Sequence, residues 1–338
     1  MVVVPVLTAE EKEHFLNNGW LKIPGAFTKE QAAEVIKDVW TRLGMNPNDK
    51  STWHRVWTNM PHHNTFDARD FAPRAWAAIS ELCGGEDRID PAFRQWRDSL
   101  IVNLGSAERE GKPDPPRKLP GWHVDGDFFV HYLDSPEQGL LVVPLFTDVP
   151  PSGGGTMIYP PGMREVARHL HDHPEGVSPR MVPRGDAGFK TDDPRREGDL
   201  AWYGGVAARA GDDGDFVEVC GEAGDVYVLH PLMMHASTSN PLRHVRIITN
   251  PPIALREPFR FHRDDGTEYS LVERATLRML GNREGEGLPG WEITQPRERI
   301  VPERLRIQER WKEEELKRLE EQRRSEEQRG LAAAAASA

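Results

Sequence analysis

The chain opens with two capping-box patterns. Thr8 with Glu11 precedes EKEHFLNNG, and Thr28 with Gln31 precedes QAAEVIKDVWTRLG; a hydroxyl residue followed three positions later by Glu or Gln is a helix start. The two predicted helices flank the short apolar stretch WLKIPG and form an α-rich N-terminal layer. From Ser99 the texture changes. SLIVNLG, WHVDGDFFVHYL, GLLVVPLFTDV, GTMIYP, FVEVCG, DVYVLHP and VRIITNPP are short apolar or alternating runs broken by Gly, Pro and Asp, a pattern that predicts strands. Strands so spaced suggest a sandwich or barrel core. Between Arg164 and Gly214 runs a Pro/Gly/Asp-rich insertion, too long for an ordinary turn and therefore a candidate lid or substrate loop. After Pro252, EYSLVERATLRMLG reads as a helix again.

The tail from Glu303 to Arg329 holds nine acids and nine bases. Glu313–Lys317, Glu314–Arg318 and Glu320–Arg324 are spaced four apart in the favourable order, which predicts a helix. Leu305, Trp311, Leu316 and Leu319 are too sparse for a heptad seam, so the expectation is a solvated helix, with a partner-binding one as the alternative. The closing LAAAAASA is low in complexity and reads as disordered.

Composition narrows the classes. The 338 residues include 43 basic and 54 acidic side chains, for a net charge of −11, and no basic stripe is interleaved with aromatics, so nucleic acid is not an expected partner. Two cysteines are too few for a disulfide scaffold and fit a reducing compartment. No stretch resembles a signal peptide or a membrane span, and the expectation is a cytoplasmic protein acting on a small molecule. One catalytic domain over 1–302, with its core at about 99–255, and a charged tail over 303–338 is the expected organisation.

Chemistry is concentrated in GWHVDGD, residues 121–127. If that stretch is a strand, His123 and Asp125 point to one face about 7 Å apart along the backbone. One imidazole, one carboxylate and a second imidazole from elsewhere make the facial triad of non-haem Fe(II) oxygenases, which leaves coordination positions open. The second imidazole is available at His235, in GDVYVLHPLMMHASTSNPLRHVRIIT, 112 residues after His123. A lone His-x-Asp is weak, because His262-Arg263-Asp264 is another copy, followed by no further histidine. The cluster His169, His171 and His173 suggests zinc less than a solvated helix end.

HVD, the turn PPSGGGTMIYPPG, GDVYVLHPLMMHAS with an arginine beyond it, and the opening LTAEEKEHFLNNGWLKIPGAFTKEQ together resemble the phytanoyl-CoA dioxygenase family of Fe(II)/2-oxoglutarate oxygenases. The resemblance covers roughly residues 8–255 and departs from the family where MIYPPGMR lacks a terminal Ser-His. It implies a mainly β fold with helices: a double-stranded β-helix (jelly roll, cupin-like) core flanked by N-terminal and C-terminal helices. It also implies His123, Asp125 and His235 as ligands of Fe(II), with 2-oxoglutarate and O2 as cosubstrates. Arg246, eleven residues past His235, takes the position that holds the far carboxylate of 2-oxoglutarate, and Ser237 that of a hydroxyl assisting it. A buried carboxylate calls for such an arginine fork in any case, and Arg243 is the nearby rival.

The implied reaction hydroxylates an unactivated carbon and releases succinate and CO2. Desaturation, ring closure or another oxidation of a natural product is the alternative within the family. A zinc hydrolase or sensor on a jelly roll is the alternative outside it, and a carboxylate clamp discriminates against it. Trp57, Phe128 and His131 are candidate substrate-binding residues, although aromatics on strands also serve as core.

Overall fold

The computed structural model describes residues 6–191, 200–283 and 285–336. In chain order the helices are α1 Ala9–Asn18, α2 Lys29–Ile36, α3 Val39–Leu43, α4 Ala68–Phe71, α5 Pro73–Cys83, α6 Gly162–Asp172, α7 Ala201–Ala208, α8 Leu271–Leu280 and α9 Arg304–Ala336. The strands are β1 Trp20–Ile23, β2 Trp57–Asn59, β3 Thr65–Asp67, β4 Gln95–Arg97, β5 Ile101–Asn103 and β6 Leu140–Pro144, followed by β7 Thr156–Tyr159, β8 Val217–Glu218, β9 Val226–Leu229, β10 Met234–Ser237, β11 Arg246–Ile248 and β12 Pro252–Ile253.

Both N-terminal capping boxes form, Thr8 with Glu11 and Thr28 with Gln31, and Ser270 with Glu273 makes a third ahead of α8. The second predicted helix is two, because Asp38 at φ −97°, ψ 5° interrupts the helical path between α2 and α3.

All strand pairs are antiparallel, in the orders β1-β9-β6-β12, β10-β7-β8, β11-β5-β2 and β3-β4. Every residue of β6 and β9 is buried, which explains their unbroken apolar sequences. Val142 and Val228 face the main core with Phe15 and Trp76, whereas Leu141, Val143 and Leu229 face a second core with Ile158 and Ile248. That alternation makes the pair a central layer. A Leu145–Ile248 bridge joins this sheet to β11.

Three expectations need correction. WHVDGDFFVHYL is no strand: it is a loop touching its surroundings through single bridges, His123–His235, Phe129–Arg299 and His131–Val177. Gly126, at φ +125°, turns the chain where a Cβ would lie 2.6 Å from the His131 ring and 2.7 Å from Phe129. The charged tail is no solvated helix either. Arg304, Ile307, Gln308, Trp311, Glu315, Arg318 and Gln322 recur at three- and four-residue spacing as the side of α9 that is not fully exposed. Glu315 is 3% exposed, accepting from Arg42 Nε at 2.9 Å and paired with His63 Nε2 at 2.8 Å. Arg42 also pairs with Asp98 at 3.1 Å. Only Ile307 and Trp311 in the stripe are apolar, so a search for apolar periodicity passes over it. Finally, α9 continues to Ala336, in keeping with the high helix propensity of alanine.

The long insertion begins with α6 and carries α7 near its end; its centre, residues 192–199, lies outside the described residues. Among the described residues no helix is long and apolar enough to cross a membrane, and Cys83 and Cys220 are unpaired.

Candidate metal centre

A loop and a strand build the centre. His123 and His235 exchange both backbone hydrogen bonds, at 3.0 and 2.9 Å, which docks the 121–127 loop on β10 and sets the two imidazoles side by side, tilted 49° to one another with centroids 4.3 Å apart. Each ring is oriented by its own chain. His123 Nδ1 donates to Gly121 O at 2.7 Å, and His235 Nδ1 donates to Met233 O at 3.0 Å. With Nδ1 engaged on a carbonyl, Nε2 is the nitrogen of each ring left for another partner, a proton shared with Asp125 or a metal ion. Both Nε2 atoms face Asp125 Oδ1, at 3.4 and 3.5 Å, and the three ligand atoms lie within 4.8 Å of one another. Among the described residues, no other group of three His, Cys, Asp or Glu side chains converges in this way.

Asn250 is a member of the site that sequence reasoning missed. Its Nδ2 donates to Asp125 Oδ2 at 3.0 Å, leaving Oδ1 toward the histidines. No local motif marks it; the signal available was its position four residues past Arg246, which puts both on one side of an extended chain.

Burial pushes the Asp125 carboxyl up, but hydrogen bonds from His123 and His235 outweigh it and hold the group well below the ordinary carboxylate range. Burial likewise pushes His123 down, while the bond and charge of Asp125 raise it above its ordinary value. The side chains are 36%, 20% and 10% exposed for His123, Asp125 and His235, so the triad is partly open to solvent.

Arg246 lies on β11 opposite Asn103 of β5 and is fully buried. Its Nε donates to Gly154 O at 2.7 Å and its Nη1 to Ile101 O at 3.1 Å, while Nη2 is buried without a partner. Burial lowers the guanidinium to about 10, so it stays charged at neutral pH beside carbonyls alone. Gly154 itself sits at φ +86°, packed so closely on Asn240 that a Cβ there would lie 2.7 Å from its side chain. Arg243 is already engaged, with Glu110 at 3.5 Å and the Trp53 ring at 5.6 Å.

Ser237 lies two residues beyond His235 on β10, exposed and paired in register with Thr156; Thr238 next to it donates to Gly155 O at 3.3 Å. Thus β10 leads from the histidine toward the Gly154 turn that Arg246 grips. Trp57 stands 48% exposed on β2, Phe128 is half-buried in the loop, and His131 is 4% exposed with its Nε2 donating to Gly126 O at 2.9 Å. The second His-x-Asp is at the surface, with His262 and Asp264 side chains 47% and 89% exposed.

The donor set, its partial exposure and the buried, unpartnered Nη2 of Arg246 fit an Fe(II) ion with 2-oxoglutarate. No protein-family model matches the chain, and no curated protein matches it. Similar solved structures include SnoN, a non-haem alpha-ketoglutarate-dependent epimerase from nogalamycin biosynthesis, at 14% identity over 83% of this chain and 94% of that one, with a TM-score of 0.35. HygX from Streptomyces hygroscopicus, with nickel and 2-oxoglutarate bound, is 14% identical over 78% of this chain and 96% of its own, with a TM-score of 0.37. EctD from S. alaskensis, with bound Fe, is 17% identical over 86% and 88%, with a TM-score of 0.39. These likenesses are distant.

Proposed function

We propose that this chain is an Fe(II)- and 2-oxoglutarate-dependent oxygenase that hydroxylates an unactivated carbon of a small organic molecule. The observation that carries this reading is Arg246, a buried cation with an orphaned N–H and, among the described residues, no acid paired with it. A hydrolytic zinc site has no use for it, whereas a cosubstrate with a far carboxylate does.

His123, Asp125 and His235 would hold the ion through Nε2, Oδ1 and Nε2. The backbone carbonyls of Gly121 and Met233 keep both histidines in the ligating tautomer, and Asn250 keeps the carboxylate turned toward them. Arg246 would pair with the far carboxylate, with Ser237 assisting, and this fixes the orientation of the keto-acid end. Bound there, Fe(II), 2-oxoglutarate and O2 supply an oxidation that yields succinate, CO2 and a hydroxylated carbon. The protein's part is geometry: with only three protein ligands, positions on the ion would be left for cosubstrate and oxygen. Phe128 and Trp57 are proposed to line the approach, within a jelly-roll core.

The test is succinate formation from 2-oxoglutarate with the Fe(II)-loaded protein, screened against candidate small molecules. Substrate-dependent succinate with a product heavier by one oxygen is expected. Substrate turnover by hydrolysis, with 2-oxoglutarate untouched, would overturn the reading.

A further inference from the structure

The C-terminal segment reaches the metal loop. Val130 N donates to Glu298 O at 2.9 Å and Ile300 N to Phe128 O at 2.8 Å, laying 298–300 along the chain just past the ligands. Arg304, at the start of α9, then takes Asp127 side-on, with Nη2 2.7 Å from Oδ1 and Nε 2.5 Å from Oδ2. The helix is fixed further along by Gln308, 3.2 Å from Asn59 Oδ1, and by buried Glu315 on Arg42 and His63. Asp127 is the second carboxylate of the loop, two residues past Asp125 and separated from it only by the left-handed Gly126. A second carboxylate in the ligand loop would compete for an ion bound by the triad if it turned inward, and the Arg304 fork engages both of its oxygens.

We propose that Arg304 is a positioning residue of the metal centre, holding Asp127 off the ion so that the position needed by a chelating cosubstrate stays open. One-carboxylate coordination is then set by the C-terminal helix as well as by the loop. The proposal rests on His123, Asp125 and His235 binding a metal.

Co(II) is the probe, added to the full-length chain, with its visible d–d absorption reporting the ligand set and 2-oxoglutarate affinity measured by titration. Arg304→Ala is expected to change the Co(II) spectrum and to weaken 2-oxoglutarate binding about tenfold, the scale of an outer-shell substitution, without weakening Co(II) itself. Adding Asp127→Asn to that variant restores both, and Asp127→Asn alone leaves the wild-type spectrum. Arg304→Lys, which offers a point charge rather than a fork, falls between. Wild-type spectrum and 2-oxoglutarate affinity in Arg304→Ala would overturn the proposal, as would loss of Co(II) by Asp127→Asn alone or failure of the double variant to recover. If wild type takes up no Co(II), the metal centre itself is refuted.

Discussion

Replacing Arg246 separates its proposed role from an ordinary structural one, because the two effects have opposite signs. Burial lowers its guanidinium from 12.5 to about 10, so the site opposes the charged form by about 3 kcal/mol. Two carbonyls accept from it, and among the described residues no carboxylate pairs with it. An entering carboxylate gains a charge-assisted pair in a dry setting, and losing it costs about 2–4 kcal/mol, which is roughly thirty- to a thousandfold in affinity. Arg246→Met fills similar volume without the charge. Without ligand it should unfold within about 1 kcal/mol of wild type or later, since exchanging a desolvated ion for an apolar chain is often neutral or stabilising. Anaerobic calorimetric titration of the metal-loaded variant with 2-oxoglutarate should show the affinity loss with metal binding nearly intact. Unchanged 2-oxoglutarate affinity, or a larger loss in Arg243→Ala, would refute the assignment.

Asn250→Ala frees Asp125 Oδ2 and should weaken metal binding about tenfold or more; competition with a chromophoric chelator measures it. Glu315→Ala strips a buried partner from Arg42 and His63 and should lower stability by about 3 kcal/mol, read by urea unfolding. His230 is fully buried; its Nδ1 accepts from Leu232 N–H at 3.1 Å, and burial pushes it down to about 3. Because the folded state resists a proton that the unfolded chain takes near 6.5, its contribution is complete above pH 6.5. It is lost as pH falls toward 3, at up to about 1.4 kcal/mol per pH unit. His230→Gln should flatten the unfolding free energy between pH 6.5 and 4, and an unchanged slope would refute the assignment.

Local chemistry was legible wherever it is local. Thr8 and Thr28 cap their helices because a capping box needs only four residues. The meeting of His123, Asp125 and His235 was also legible, although the first two lie on a loop bridged to β10 at His123 rather than on a strand. Contacts between distant segments were not. Asn250 finds Asp125 across 125 residues, and Glu315 finds Arg42 across 273; neither leaves a mark on neighbouring positions. The α9 segment as a whole is charge-balanced and its docking stripe mostly polar, so the pattern that identifies solvated helices also describes one that docks through buried ion pairs.

The central claim is that this triad holds iron and that 2-oxoglutarate chelates it under Arg246. Anaerobic addition of Fe(II) and then 2-oxoglutarate to the purified apo-protein tests this most directly. The account predicts one Fe(II) per chain and a weak visible charge-transfer band that saturates with 2-oxoglutarate, is absent from Asp125→Ala, and is strongly weakened in Arg246→Met at the same concentrations. No band in wild type, with zinc held tightly in its place, would contradict it.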